Sequence, residues 1–244
     1  MSKTLEQEDK KPFLEHLAEL RNRLIVSLIG VGIAFIFTYS FSKEIFNFLM
    51  APYTKIMPEH SGFIFTYITE AFVTYLKVAF ITAIFIASPL ILYEIWMFIA
   101  PGLYEHEKRY IYPFIIFGSI SFVGGALFAY YIVIPALYRF FVSFASQFII
   151  PMPDLKGYMG LTLKMLVLFG VIFELPLVAY YLGKAKIITY ESLRKKRKVA
   201  ILSIFIVAAI ITPPDVTSQI LLALPLIGLY ELSILILRFL GRKR

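Results

Sequence analysis

Six long apolar stretches follow one another along the chain, and each holds few charged positions. A helix that crosses a membrane needs roughly 20 mostly apolar residues. The pattern therefore predicts six transmembrane helices, at about residues 24–41, 70–93, 110–133, 161–182, 199–212 and 217–237. Because the polar segments between them are short, we expect residues 1–244 to form a single integral membrane domain, all-α and polytopic.

The last two predicted spans are expected to be too short for an ordinary bilayer. The fifth has about 14 residues before Pro213 and Pro214 end it, which at ~1.5 Å per residue covers about 21 Å of a hydrocarbon core of about 30 Å. Such a mismatch is relieved by thinning of the lipid or by recruitment of neighbouring helices, and we expect a locally thinned membrane beside these two spans, near a groove that holds Glu174. The two longest loops, which follow the first and the third predicted spans, mix apolar and polar residues. They are expected to form short interfacial helices.

The composition supports membrane embedding and argues against an enzyme. Hydrophobic residues make up 59% of the chain and charged residues 16%, against about 45–50% and about 25% in soluble domains. The absence of cysteine excludes disulfides and thiolate metal sites. The three histidines lie in separate segments, and the sequence holds no zinc-protease helix, nucleophile elbow or phosphate-binding loop. We therefore expect no catalytic residues, no metal and no cofactor.

The basic residues indicate the orientation. Eighteen of the 24 Lys and Arg residues lie in the two terminal segments and in the loops after the second and fourth spans, which all face one side. An excess of basic residues marks the cytoplasmic side, so both termini are expected in the cytoplasm. The net charge of +8 then needs no nucleic acid to explain it. The run Arg194–Lys198 is interpreted as a topology anchor or as a contact for anionic membrane lipid.

Acidic residues on this basic side admit two interpretations. Glu19 can form an ordinary i,i+4 pair with Arg23 on an amphipathic lead-in. Glu107, at the start of the third span, can complement the helix dipole. Dipole complementation accounts for one carboxylate, but it does not explain why acids stand at the ends of two spans.

Three further residues are candidates for structural or functional polar contacts. Asp215 follows the two prolines of the last outer turn and can cap the sixth helix, and Gln219 lies one turn later. Glu174 lies near the middle of the fourth span, two residues before a proline that kinks the helix. An ionisable group inside a membrane is a functional hypothesis by default. Either a partner's transmembrane helix contacts Glu174, with water or a proton present at rest, or its own bundle provides hydrogen bonds.

Several long motifs closely resemble the TatC subunit of the twin-arginine protein translocase. The resemblance is collinear over nearly the whole chain. The motifs that carry it are HLAELRNRL, ASPLILYEIWMFIAPGLYEHEKR, FGVIFELPLV, LRKKR and TPPDVTSQILLALPLIGLYE.

The resemblance implies a receptor in the cytoplasmic (inner) membrane. It would bind the twin-arginine signal peptides of folded cargo, assemble with the single-span TatA and TatB subunits and with other copies of itself, and use the proton-motive force. The signal-peptide patch of the family falls on Glu19, Arg21, Phe98, Leu103 and Glu107. Other positions that match family motifs are Pro52, Glu174, Pro213, Asp215 and Gln219.

A small-molecule or ion transporter is the competing hypothesis. In that case Glu174, Glu231 and Lys164 would form a proton relay. Transporters of this kind usually have internal repeats and more spans, and the sequence shows no repeat.

Overall fold

The structure is a computed structural model that describes residues 2–56, 63–64, 67–99, 111–146 and 152–242. Side chains are described within these ranges from residue 16 to residue 241, except that of residue 99. Leu103 and Glu107, two of the predicted site residues, lie outside the described residues.

The described residues are almost entirely helical. The helices are α1 (Ser2–Ser40), α2 (Ser42–Thr54), α3 (Glu70–Ile99), α4 (Ile111–Phe128), α5 (Ile134–Val142), α6 (Leu155–Phe173), α7 (Leu175–Lys184), α8 (Tyr190–Lys195), α9 (Arg197–Ile211) and α10 (Val216–Arg242). A five-residue π-helical stretch, Ala129–Val133, joins α4 to α5.

Five helical segments of the described chain are long and apolar enough to cross a membrane: His16–Ser40, Glu70–Phe98, Ile111–Val142, Leu155–Lys184 and Val216–Gly241. They contain five of the six predicted spans. The remaining one, at 199–212, is helical as α9 but has only 15 residues. The all-helical fold is therefore confirmed, with five candidate spans and one short helix.

The prediction for the length of the sixth span is wrong. Helix α10 has 27 residues and extends about 40 Å at ~1.5 Å per residue. The basic tail continues the helix instead of ending it, because Arg238 is a good helix former in its last turns. The prediction for the fifth span holds, since α9 ends at Ile211, before the two prolines.

The helices pack as a row in which α1 contacts α3, α3 contacts α4, α4 contacts α6, α7 contacts α10, and α10 contacts α9. The main core lies where α2, α5, α6 and α10 meet the π-helical stretch. Glycines allow the closest approaches: a Cβ on Gly125 of α4 would lie 2.3 Å from the carbonyl oxygen of Phe169 in α6. One on Gly183 of α7 would lie 2.2 Å from Leu237 of α10. The short α9 lies at one end of the row and α1 at the other.

The short helix expected in the first of the two long loops is present as α2. The described residues of the second loop contain no separate helix, because α4 continues through the π-helical stretch into α5. Residues of the two loops meet where the backbone N–H of Ile64 donates to the carbonyl of Pro153 and that of Leu155 donates to Ile64.

Candidate functional site

A cluster of charged side chains joins α1 to α3 at one end of the row. Arg23 donates from Nε and Nη2 to the same oxygen of Glu19, Oε1, at 3.0 and 2.6 Å. Its third nitrogen, Nη1, donates to Oε2 of Glu94 at 3.1 Å. One guanidinium therefore holds two carboxylates, which leaves the cluster with one excess negative charge.

The helix geometry explains this arrangement. Glu19 and Arg23 are four residues apart and so lie on one face of α1. Glu94 comes from α3, five residues before that helix ends. The side chain of Glu94 is 11% exposed, and a carboxylate this buried needs a charged or hydrogen-bonding partner. Sequence reasoning missed Glu94, although a lone acid in an apolar run was a usable signal.

A groove of about 570 Å³ lies beside this cluster, and Glu19, Asn22, Arg23 and Glu94 contribute to its lining. Glu19 keeps its second oxygen, Oε2, on the side of His16, whose Nδ1 is 3.9 Å away. Arg23 does not use that oxygen, so a further cation can bind to it. The i,i+4 pair expected from the sequence is thus present, but it uses only half of the Glu19 carboxylate.

Phe98 brings the end of α3 against the same part of α1. Its ring stacks on His16 with the ring centroids 4.4 Å apart. Arg21 is exposed next to this segment. The structure thus places Glu19, Arg21 and Phe98 of the predicted patch at one end of the bundle.

Glu174 marks a break in the fourth long segment. It lies between α6 and α7, where Pro176 removes a backbone donor, and the chain resumes with the N–H of Val178 donating to the carbonyl of Glu174 at 2.8 Å. A helix break is therefore present where the sequence predicts a kink. Neither carboxylate oxygen has a hydrogen-bond partner among the described residues, although both are buried.

The Glu174 carboxylate faces α4. A Cβ built on Gly118 would lie 3.3 Å from Oε2 of Glu174 and 2.9 Å from Leu92 of α3. The lack of a side chain at Gly118 makes the space for the carboxylate. The hypothesis that its own bundle provides hydrogen bonds to Glu174 finds no support in the described structure.

The last outer turn is fixed by the predicted polar residues. Asp215 caps α10, because its Oδ1 accepts from the backbone N–H of Ser218 at 2.7 Å. Gln219 donates from Nε2 to the carbonyl of Phe205 in α9 at 2.9 Å. Pro213 follows the end of α9. Because proline has no backbone N–H, it cannot donate a hydrogen bond to a carbonyl in the last turn of α9, and the helix ends there. The cap and the interhelical bond hold the turn between α9 and α10 in place.

Pro52 is buried inside α2. It has no N–H to donate to the carbonyl four residues earlier, that of Phe48, and the hydroxyl of Tyr130 donates to this carbonyl instead at 2.5 Å. The neighbouring Tyr53 is 3% exposed, and burial raises the pKa of its hydroxyl to about 12. Pro52 thus lies in the part of α2 that packs on the main core. It does not belong to the charged cluster around Arg23.

A second ion pair joins α9 to α10. Arg197 Nη2 donates to Oε2 of Glu231 at 2.7 Å, and its Nε lies 2.7 Å from Oε1. Tyr230, the preceding residue of α10, donates to the carbonyl of Leu193 in α8 at 2.8 Å. These contacts fix the start of the short helix α9 against α10, so Glu231 is already engaged.

Comparison with known proteins identifies the family. The profile of the family described as Sec-independent protein translocase protein (TatC) matches residues 15–225. The chain belongs to the TatC family.

Individual relatives agree over nearly the full length of the chain. A Sec-independent protein translocase protein TatC from Desulforapulum autotrophicum is 47% identical, over 98% of this chain and 88% of the relative. One from Escherichia coli is 36% identical, over 95% and 90%. A crystal structure described as the twin arginine translocase receptor TatC superposes with a TM-score of 0.85 at 41% identity, and the match covers 92% of this chain and 98% of that one.

Membership in this family makes the chain a protein translocase component and a multi-pass membrane protein, not an enzyme. It also places the chain within the Tat system, whose subunits are its class of partners. Among the described residues, no group of three or more histidine or acidic side chains is arranged to hold a metal ion.

Proposed function

We propose that the chain is the receptor subunit that binds twin-arginine signal peptides and exports folded proteins across the cytoplasmic membrane. In this proposal it works with TatA and TatB, the proton-motive force drives transport, six helices cross the membrane, and both termini lie in the cytoplasm. A TatC with a very similar structure is described as a twin arginine translocase receptor.

The Glu19 oxygen that Arg23 leaves unused is the observation that carries this proposal. Carboxylates bind guanidinium groups through a planar fork of two hydrogen bonds. Arg23 uses only Oε1 of Glu19, so Oε2 can accept from an incoming arginine. The site lies at the edge of a groove, where a peptide can reach it without crossing the core.

Glu107 supplies the second carboxylate in this proposal. The sequence places it at the start of the third long segment, whereas Glu19 lies at the start of the first. Two arginines of one short peptide would then each bind one acid. Arg21, Phe98 and Leu103 complete the proposed site, and the ring of Phe98, already stacked on His16, offers an apolar contact for peptide residues beside the arginines.

The charge distribution supports the proposed orientation. The charged cluster lies near the start of the apolar segment His16–Ser40 and the end of α3, the same side to which the sequence assigns eighteen of 24 basic residues. With α9 as a short sixth span, the number of crossings is even, as two termini on the same side require. The peptide site then faces the cytoplasm, where cargo is made.

Glu174 is proposed to contact the transmembrane helix of a TatA or TatB partner. Its two buried oxygens have no partner among the described residues, and an unpaired buried carboxyl costs roughly 1–3 kcal/mol. A donor from a partner helix would remove that cost. The outer turn with Pro213, Asp215 and Gln219, and the outer helix with Pro52, are proposed to present neighbouring surfaces to these partners and to other copies of the chain.

The transporter hypothesis is not supported by the contacts of its three proposed relay residues. Glu174 lies against Gly118, Glu231 is paired with Arg197, and Lys164 lines a pocket formed by α5, α6 and the end of α9. Each has a separate set of neighbours, and no direct hydrogen bond joins any two of them among the described residues.

Binding of a twin-arginine peptide to the purified chain tests the proposed function. A fluorescent signal peptide should bind, and the same peptide with both arginines replaced by lysine should bind at least about tenfold more weakly, at ~1.4 kcal/mol per decade. Liposomes that hold the chain alone should show no proton flux beyond that of empty liposomes. Proton flux without selective peptide binding would favour the transporter.

A further inference from the structure

Three lysines line one pocket at the end of the bundle opposite to the charged cluster. The pocket has a volume of about 660 Å³ and contains Lys77 of α3 together with Lys156 and Lys164 of α6. These are three of the six basic residues that the sequence places on the outer side, where basic residues are usually rare. Their convergence on one pocket calls for a physical reason.

Acidic groups near this pocket offset the three lysines only in part. None of the three forms an ion pair among the described residues. Asp154, which lines the pocket, caps α6 by accepting from the backbone N–H of Gly157 at 2.9 Å, and Glu70 of α3 accepts from the backbone N–H of Lys156 at 2.8 Å. Three ammonium groups and these two carboxylates leave a net charge of +1, and like charges in one pocket repel unless an anion is bound.

Apolar side chains form one wall of the pocket, beside Tyr138, Tyr158 and Thr212. Phe141 of α5, Leu161 of α6 and Ile211 of α9 contribute to the wall. A pocket that combines ammonium groups with an apolar wall suits an amphiphile with an anionic head better than a small hydrated anion, which would gain nothing from the wall.

The short helix α9 explains the depth of the pocket. Lys77 is the eighth residue of α3 and Lys164 the tenth of α6, so they lie about 10–14 Å from the helix starts at ~1.5 Å per residue. Thr212 and Pro213, where α9 ends, line the same pocket. Because α9 covers only about 22 Å, the lipid headgroups beside it are expected to move inward, to the level of these lysines.

We propose that this pocket binds the phosphate headgroup of an anionic phospholipid, with an acyl chain against Phe141, Leu161 and Ile211. The lysines then bind a lipid headgroup that has moved inward beside α9, where the membrane is thinner. The proposal depends on membrane embedding and not on peptide recognition, so either can fail without the other.

Lipid binding to matched double variants tests this proposal. The full chain is purified in a neutral detergent and titrated with phosphatidylglycerol, with phosphatidylcholine or with inorganic phosphate, and binding is read by native mass spectrometry. The pocket variant is Lys77→Gln/Lys164→Gln. The control is Lys43→Gln/Lys55→Gln, which removes the same charge from exposed lysines at the two ends of α2.

Phosphatidylglycerol should bind the native chain in preference to phosphatidylcholine. Each pocket lysine near a phosphate should contribute about fivefold in affinity, so the pocket variant should lose about 25-fold and the control less than about twofold. Equal losses in both variants, or no preference for phosphatidylglycerol, would overturn the proposal. Binding of inorganic phosphate with the same lysine dependence would assign the pocket to a soluble anion instead.

The melting temperature provides a second test, because the pocket variant should bind lipid more weakly and yet be no less stable in detergent alone. In neutral detergent alone, removal of two repelling charges should leave the melting temperature of the pocket variant equal or higher. With phosphatidylglycerol added, the native chain should gain more stability than the variant. Lys77→Arg/Lys164→Arg keeps the charges and should keep the lipid gain, which separates charge from packing. A pocket variant that melts lower in both conditions by the same amount would contradict lipid binding in this pocket.

Discussion

Glu19 and Glu174 are both carboxylates of a very apolar chain, but their surroundings differ. Glu19 lies beside a groove, and Arg23 donates two hydrogen bonds to one of its oxygens. Glu174 lies at a helix break, faces Gly118, and has no hydrogen-bond partner for either oxygen among the described residues. The first is held by its own chain and the second is not.

This difference indicates two kinds of binding site. A carboxylate that already holds a guanidinium through one oxygen is positioned to bind another, at a small cost, since the groove remains partly exposed to water. A buried carboxyl without a partner is destabilising by itself, and a donor from another protein relieves that cost. We therefore propose peptide recognition for Glu19 and partner assembly for Glu174.

Charge reversal at Glu19 should produce the largest effect. In Glu19→Lys the lost hydrogen bond, roughly 1.5–3 kcal/mol, is joined by repulsion between the new lysine, Arg23 and the peptide. Affinity for a twin-arginine peptide should fall about hundredfold, as measured by fluorescence anisotropy. The control Glu44→Lys makes the same charge change on α2, and a similar loss there would show that net charge alone matters.

Substitution of Glu174 should separate stability from transport. Glu174→Leu should stabilise the isolated chain by about 1–3 kcal/mol, because it removes an unpaired buried carboxyl. Transport should fall about three- to fifteen-fold, from the loss of an interhelical polar contact of ~0.6–1.7 kcal/mol. Glu174→Gln should be milder because an amide still forms hydrogen bonds, and peptide binding should not change in either variant.

Melting curves and transport assays in membrane vesicles check this prediction. Normal transport by Glu174→Leu would show that the buried carboxyl is merely tolerated. Lower stability of the isolated Glu174→Leu chain would show that Glu174 has a partner within its own bundle.

Loss of the Glu94 charge should produce the smallest effect on peptide binding. In Glu94→Gln, Arg23 is held less strongly by α3 and interacts more completely with Glu19, which competes with the peptide. Affinity should fall only about two- to fivefold, in line with partly exposed pairs worth ~0.2–1 kcal/mol. A loss as large as that of Glu19→Lys would mean that Glu94 contacts the peptide directly.

The long helices were predicted well, because each is a long run of apolar residues bounded by polar or helix-breaking residues. The kink at Pro176, the cap by Asp215 and the short α9 are local features, and local sequence determines them. The length of α10 was predicted wrongly, because a basic tail can end a span and still continue a helix.

The contacts between distant parts of the chain were not predictable in the same way. Glu94 accepts a hydrogen bond from Arg23, which is 71 residues away in the sequence. Lys77 lines one pocket with Lys156 and Lys164 only because α3 and α6 pack in the same part of the fold. No spacing of residues along the sequence predicts contacts of this kind. The resemblance to a family indicated Glu19 but not Glu94, since a buried acid within an apolar run reveals its partner only in three dimensions.

Discrimination between arginine and lysine in the signal peptide tests the central claim most directly. Twin-arginine and twin-lysine peptides are titrated against the native chain, Glu19→Gln and Glu107→Gln, with the melting temperature of each variant measured alongside. A carboxylate binds a guanidinium with two hydrogen bonds and an ammonium with fewer. Each variant should therefore remain folded, bind the twin-arginine peptide about tenfold more weakly, and lose most of its preference for arginine. Folded variants that keep the full native preference would contradict the assignment of these carboxylates to the receptor site.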